Sequence, residues 1–261
     1  MDPTSVERTL AAAGCIAPRD EANELLHAAG DDARALATML ARRIDGEPLP
    51  WIIGRIRFCE LEVRVTPGVY VPRWQTEPLA RMAASLMPSE GTAVDLCTGA
   101  GAVAMVLAAA APTARVLATD VDPVAVACAR GNGVDAHVGH LDDPLPAFLE
   151  ASVDVLTAVA PYVPTREIRL LPRDVQRHEP RTALDGGEDG TDTLAEIVRR
   201  SPRWLRPGGH MLLELGGDQA DAVGAVALAV GFDRREVLRD AEGDPRGIVA
   251  RWSARTDDLP S

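Results

Sequence analysis

Lysine is absent from this 261-residue chain: all 27 basic residues are arginine. That removes Schiff-base and lysine-nucleophile chemistry from consideration. Cysteine is scarce as well. Cys15, Cys59, Cys97 and Cys128 lie far apart and form no CxxC pair, so reduced buried thiols are expected rather than a zinc site or a disulfide framework. Aromatic residues make up only 3%. The longest uncharged run, Leu96 to Ala114, is 19 residues and holds two glycines, a proline and two threonines, so a membrane span is not expected. Positive charge is short overall. The formal net charge is −12 and no polybasic run exists, which disfavours nucleic acid as a phosphate-bound partner. The start, Met1 to Glu7, has neither a basic segment nor an apolar one, so no leader is read there and a cytoplasmic protein is expected.

What is present is enough for a buried core: 46% of residues are hydrophobic and 25% charged. The first fifty residues read as helices. Val6 to Gly14 ends at a glycine, Ala22, Leu25, Leu26 and Ala29 recur at helical spacing, and Asp31 or Asp32 can cap a third segment through Leu40. Arg57 to Val65 alternates, and Thr66-Pro67-Gly68 precedes Val69 to Pro72, which predicts a β-hairpin turning at that tripeptide. Helices are predicted at Glu77–Met87, up to Ala111, and at Pro123–Arg130, Thr193–Trp204 and Ala220–Val230. The strands interleaved with them are Thr92–Leu96, Arg115–Thr119, Val153–Thr157, His210–Leu215, Glu236–Leu238 and Gly247–Trp252. Alternating strands and helices predict an α/β doubly wound sheet, mostly parallel, with one antiparallel strand at or near the edge from the closing pair.

The chemistry begins at Asp95-Leu96-Cys97-Thr98-Gly99-Ala100-Gly101, directly after a strand and opening a helix. Glycines there let backbone amides approach a ligand, and a helix N-terminus favours polar or anionic groups. Asp120, at the end of the next strand, can accept both hydroxyls of a ribose. Asp122 competes for that role, and either can cap the following helix. NAD and S-adenosylmethionine both satisfy a glycine turn plus a ribose acid. Asp95, placed inside the strand, favours S-adenosylmethionine, because a carboxylate there can organise the loop around a cationic ligand.

At this point the chain resembles the HemK/PrmC family of protein-(glutamine-N5) methyltransferases. The likeness is carried by Gly46-Glu47-Pro48-Leu49, Ile53-Gly54, Val65 to Val69, Val71-Pro72-Arg73 and Asp95 to Gly101. It continues through Glu179-Pro180-Arg181-Thr182-Ala183-Leu184-Asp185-Gly186-Gly187, Pro207-Gly208-Gly209 and Glu214. The resemblance implies a Rossmann-like class I methyltransferase domain at 75–261, preceded by a helical bundle at 1–52 and a hairpin linker at 53–74. It implies S-adenosylmethionine as cofactor, no metal, and a release factor's Gly-Gly-Gln loop as partner, recognised partly through the helical bundle.

The family's Asn-Pro-Pro-Tyr is Val159-Ala160-Pro161-Tyr162 here. In the family that asparagine side chain and the following backbone carbonyl hold the substrate amide; valine offers no acceptor. Losing such a bond costs about 1–3 kcal/mol. The family's Arg-Pro-Glu-Thr-Glu is Arg73-Trp74-Gln75-Thr76-Glu77, its first loop glycine is Cys97, and His140 replaces an acid before Leu141, which resembles the adenine-packing position. The candidate cofactor residues are therefore Asp95, Cys97, Thr98, Gly99, Ala100, Gly101, Asp120, Val121, Leu141 and Val159. The candidate catalytic residues are Val159, Ala160, Pro161 and Tyr162. Arg73 and Glu77 are placed either at the substrate mouth or in an ion pair between domains. His140 is read as a base or as a loop residue near the adenine, and His178 as structural. Two other readings stay open: a small-molecule methyltransferase on the same fold, and a non-catalytic cofactor-binding relative.

Overall fold

The computed structural model describes residues 2–253. Three helices come first: α1 (Pro3–Ala12), α2 (Pro18–Ala29) and α3 (Ala33–Ile44), followed by the short α4 (Leu49–Ile53). Their apolar faces meet in one cluster of Val6, Leu10, Leu25, Leu36, Leu40 and Ile52. Of the two aspartates able to cap α3, Asp32 does so, its side chain accepting from the N–H groups of Arg34 and Ala35, each at 2.9 Å.

The hairpin differs from expectation. Its strands are β1 (Arg55–Phe58) and β2 (Leu61–Arg64), and the turn falls at Cys59-Glu60, both with positive φ (46° and 67°). Two left-handed residues make the tight connection whose twist suits paired strands. Alternation alone does not mark it, because neither residue is a glycine. Val69 to Pro72 forms no strand; it runs across the molecule, held by Trp51, whose indole N–H donates to the Val69 carbonyl at 2.9 Å.

The remaining elements are α5 (Glu77–Ser85), β3 (Thr92–Leu96), α6 (Ala102–Ala110), β4 (Arg115–Asp120), α7 (Pro123–Gly131), β5 (Asp135–Val138), β6 (Val153–Ala158), α8 (Arg173–His178), α9 (Asp192–Arg200), β7 (Leu205–Glu214), α10 (Gln219–Val230), β8 (Phe232–Arg239) and β9 (Pro245–Trp252). The sheet order is β5-β4-β3-β6-β7-β9-β8. The pairs from β5 to β7 are parallel, while β9 runs antiparallel to both neighbours, one strand in from the edge. Helices cover both faces, and every residue of the central strand β6 is buried.

Strand β5 was not expected from the sequence. It is four residues long, sits at the edge and exposes Asp135 and Val138, so its alternation is too short to stand out. Strand β7 starts earlier than His210. Pro207-Gly208-Gly209 is accommodated as an irregularity between the Val153↔Leu205 and Val155↔His210 pairs, where a Cβ on Gly209 would lie 2.8 Å from the Val153 carbonyl oxygen. Among the described residues no helix is long and apolar enough to cross a membrane.

Candidate active site

The carboxyl ends of β3, β4, β6 and β7 open onto one cavity of about 1040 Å³, at the position where open α/β sheets bind ligands. Its first wall is the turn after β3. Asp95 is buried at the end of that strand, and its two oxygens accept from the Thr98 hydroxyl at 2.6 Å and the Thr157 hydroxyl of β6 at 2.7 Å. Burial pushes its carboxyl up to about 6, the two hydroxyls pulling against that. Asp95 therefore ties the loop to two strands. The Thr98 N–H donates to the Thr119 carbonyl (3.0 Å), and the Gly99 N–H donates to Asp120 Oδ2 (2.8 Å).

The competition between the two aspartates after β4 resolves by geometry. Both line the cavity, but Asp122 caps α7 through the Val124 N–H at 2.8 Å, whereas Asp120 braces the glycine turn through the Gly99 N–H. Cys97, at a family glycine, adopts φ 54°, a left-handed conformation that costs a non-glycine residue about 1–2 kcal/mol. The two loop glycines do different things. A Cβ on Gly99 (φ +56°) would meet no protein atom within 4 Å, so the backbone there lies open to a ligand. A Cβ on Gly101 would lie 2.9 Å from Val134 and 3.1 Å from Ala129, so that glycine packs α6 against the neighbouring layer and does not line the cavity.

The opposite wall is the segment after β6. Val159, Ala160, Pro161 and Tyr162 all line the cavity. The Val163 N–H donates to the Leu184 carbonyl and the Gly186 N–H to the Val163 carbonyl, both at 2.9 Å, so this wall is paired with a second segment like a short ladder. A Cβ on Gly186 would lie 2.7 Å from the Pro161 carbonyl oxygen and 2.8 Å from Tyr162 Cα. Gln219 closes the arrangement: its amide donates to the Tyr162 carbonyl at 2.7 Å and accepts from the Gly216 N–H at 3.0 Å.

Behind this wall is a polar cluster that sequence reasoning did not assemble. The Tyr162 hydroxyl donates to Glu214 Oε1 at 3.1 Å, and Tyr70, Arg73 and Thr76 line the same space. Arg73 pairs with Glu179, whose side chain is buried, and stacks 5.0 Å over the Tyr70 ring. Burial raises the Glu179 carboxyl and lifts Tyr70 to about 12. Glu77 is not part of the cluster. It accepts from the Cys59 N–H at 3.1 Å and pairs with Arg81 at 2.9 Å, so it fastens the hairpin turn, and of the two residues Arg73 lines the cavity while Glu77 does not. The sequence signal for Glu214 was a single acid ending an apolar strand, Met211-Leu212-Leu213-Glu214-Leu215.

Leu141 is buried at the rim beside Val121 and His140, and His140 stands 3.1 Å from Glu196. His178 faces Trp51 edge-on, 6.2 Å between centroids, outside the cavity. The residues fit a cofactor carrying hydroxyls and a positive charge: an open glycine backbone, a carboxylate at the strand end and a buried acid beneath the turn.

Comparison with known proteins agrees with this arrangement. The methyltransferase small domain family matches residues 60–144. The release factor glutamine methyltransferase of Moorella thermoacetica is 42% identical over 217 residues, covering 80% of this chain and 76% of its own length. That of Mycolicibacterium smegmatis is 36% identical over 271 residues, covering 95% of each. Among solved structures, the T. thermophilus 16S rRNA N2 G1207 methyltransferase in complex with AdoMet and guanosine shares the fold, with a TM-score of 0.51 at 18% identity over 79% of this chain and 46% of its own. The resemblance read from the motifs is thus borne out, and the chain belongs to the release factor glutamine methyltransferase family of S-adenosylmethionine-dependent methyltransferases.

Proposed function

We propose that this protein methylates the side-chain amide nitrogen of a glutamine in a protein loop, the Gly-Gly-Gln loop of a release factor. The observation that carries this reading is the pairing of two walls across one cavity. An open glycine turn with its carboxylate faces the Val159–Tyr162 segment, which is held in place by the bonds between Val163 and the Leu184–Gly186 segment and by the Gln219 amide on the Tyr162 carbonyl. The relatives' names favour a protein acceptor over a small metabolite.

S-adenosylmethionine supplies an electrophilic methyl group on a sulfonium. Thr98, Gly99 and Ala100 would hold it through the backbone, Asp120 through its ribose hydroxyls and Leu141 against its adenine; Asp95 acts by fixing the loop. Asp120→Ala removes both the ligand contact and the brace on the Gly99 N–H. Each charged hydrogen bond of that kind is worth about 1.5–3 kcal/mol. Titration calorimetry should show the cofactor bound at least tenfold more weakly, and unchanged affinity would refute the ribose assignment.

An amide nitrogen is a poor nucleophile because its lone pair is delocalised into the carbonyl. Such a reaction gains most from position and from acceptors that draw on the N–H bonds as charge develops. The backbone carbonyls of the cavity-lining Val159–Pro161 segment are acceptors of the kind that need requires. The mouth of the cavity fits a protein partner: Ile16, 96% exposed, and Trp74, 71% exposed, stand at its rim. An anchoring aromatic at an interface typically contributes more than about 1 kcal/mol. Trp74→Ala should raise KM for a release factor about fivefold to tenfold while leaving cofactor affinity unchanged. Equal KM values would remove Trp74 from the docking rim.

The deciding experiment is methyl transfer to a purified bacterial release factor, read by peptide mass spectrometry. One methyl on the Gly-Gly-Gln glutamine is expected. No transfer from a preparation shown to bind S-adenosylmethionine would overturn the assigned acceptor.

A further inference from the structure

The family's asparagine is missing at Val159, yet the structure places a different acceptor beside that position. Strands β6 and β7 are parallel, with Thr157 opposite Leu212 and Ala158 opposite Leu213. Continuing the register by one residue sets Val159 beside Glu214, on neighbouring strands about 4.8 Å apart. Alternation puts both side chains on one face of the sheet, since Val155, Leu212 and Val159 share a cluster whereas Leu156 and Leu213 belong to the other.

Glu214 is 3% exposed and lines the cavity, and its Oε2 has no hydrogen-bond partner among the described residues. An unpaired buried carboxylate oxygen is costly. The Thr76 hydroxyl lies close enough to ease its charge but outside hydrogen-bond geometry, and that hydroxyl too is buried without a partner. Oε1, in contrast, is fixed by the Tyr162 hydroxyl. One oxygen is held and the other, itself buried, has no partner, so the carboxylate is oriented with one acceptor unused.

We propose that Glu214 accepts one N–H of the substrate amide through Oε2 and takes up its proton during transfer. This rests on the glutamine-amide reading above. The other N–H is left to a backbone carbonyl of the Val159–Pro161 wall. As the nitrogen–methyl bond forms, the carbon–sulfur bond breaks and its electron pair stays on sulfur. The N–H facing Glu214 gives its proton to Oε2, and the product amide keeps the other. Positive sulfur and negative carboxylate become neutral together, which suits a site sheltered from water. The proton then leaves to solvent through the cavity.

Burial raises the Glu214 carboxyl above the ordinary range, which brings its proton affinity closer to that needed for transfer near neutral pH. The groups facing it are Thr76 at the start of α5, Tyr162 after β6, Tyr70 and Arg73 before α5, and Arg246 on β9; Arg73 and Arg246 oppose the rise. The reactive form is the carboxylate, so the rate should fall as pH drops through this raised value.

The test is Glu214→Gln in the full chain, assayed on a release factor. The amide still accepts from Tyr162 but offers an NH₂ to the substrate and cannot take a proton. Expected are a kcat about 100-fold lower, S-adenosylmethionine affinity within twofold by calorimetry, and loss of the acid limb of kcat/KM. Val159→Asn in the Glu214→Gln background should recover at least tenfold. A kcat within threefold of the parent, or an acid limb that persists, overturns the proposal while leaving the glutamine acceptor in place. A parent protein that makes no methylglutamine overturns both. Should Glu214→Gln not fold, Tyr162→Phe decides: loss of its hydrogen bond should move the acid limb to higher pH, and an unmoved limb refutes the role.

Discussion

Gly186→Ala is expected to lower methyl transfer about a hundredfold while S-adenosylmethionine affinity stays within a factor of three. The added methyl would lie 2.7 Å from the Pro161 carbonyl oxygen, 2.8 Å from the Gly190 carbonyl oxygen and 2.8 Å from Tyr162 Cα. All three are backbone atoms, so no side chain can rotate away and the two segments must part. Overpacking of this kind costs about 1–3 kcal/mol, which for a chain of this size lowers the melting temperature by roughly 2–4 °C per kcal/mol. The functional loss is larger than the stability loss because the displaced atoms belong to the acceptor wall, and a shift of about 1 Å there can cost 10²-fold. The cofactor wall, built on β3 and β4, has no contact with Gly186 and should bind as before. Paired kinetics and calorimetry check this. Activity within threefold of the parent would show that the ladder from Leu184 to Gly187 does not set the acceptor geometry.

That dependence is the part of the site least visible in the sequence. The glycine turn after β3 was legible, because a buried strand followed by small residues and an apolar helix admits few structures. Its cofactor-side acid was not settled there. Asp120 and Asp122 are both suited to a strand end and to a helix cap, and only the bond from the Val124 N–H to Asp122 separates them. Gly186 and Gly190 let two backbones touch at the acceptor wall. No local pattern reports a contact between segments some twenty-five residues apart. The same holds for Arg73 and Glu77, four residues apart and read together. Arg73 turns inward to Glu179 while Glu77 turns to the hairpin and Arg81. The central strands were found because burial on both faces gives long apolar runs. The turn at Cys59-Glu60 and the edge strand β5 were missed because neither has glycine or length to mark it.

Asp95→Asn is expected to make the protein more heat-stable at pH 8 and to weaken its hold on S-adenosylmethionine about tenfold. Burial pushes the Asp95 carboxyl up to about 6 in the folded chain, from the ordinary aspartate value of about 3.9, because it outweighs the bonds from Thr98 and Thr157. The folded state therefore binds this proton more tightly than the unfolded state does. As pH rises from about 4 to 6 the unfolded chain releases it first, so stability falls across that window; above it the buried charge costs about 3 kcal/mol. Asparagine carries no charge and keeps the shape, but one threonine hydroxyl must reverse from donor to acceptor, which offsets about 1 kcal/mol. A net gain of about 2 kcal/mol corresponds to a melting point roughly 4–8 °C higher at pH 8, while near pH 4, where the charge cost is gone, the variant should be less stable by about 1 kcal/mol. A variant that melts lower at both pH values would refute the argument. The cofactor side runs in the opposite direction. On the cofactor placement proposed above, the turn that Asp95 ties down would face the sulfonium, and a neutral amide removes the charge that favours a cation there. An uncompensated buried acid at this position is thus a stability cost that binding offsets, as expected where an active site holds strain for function.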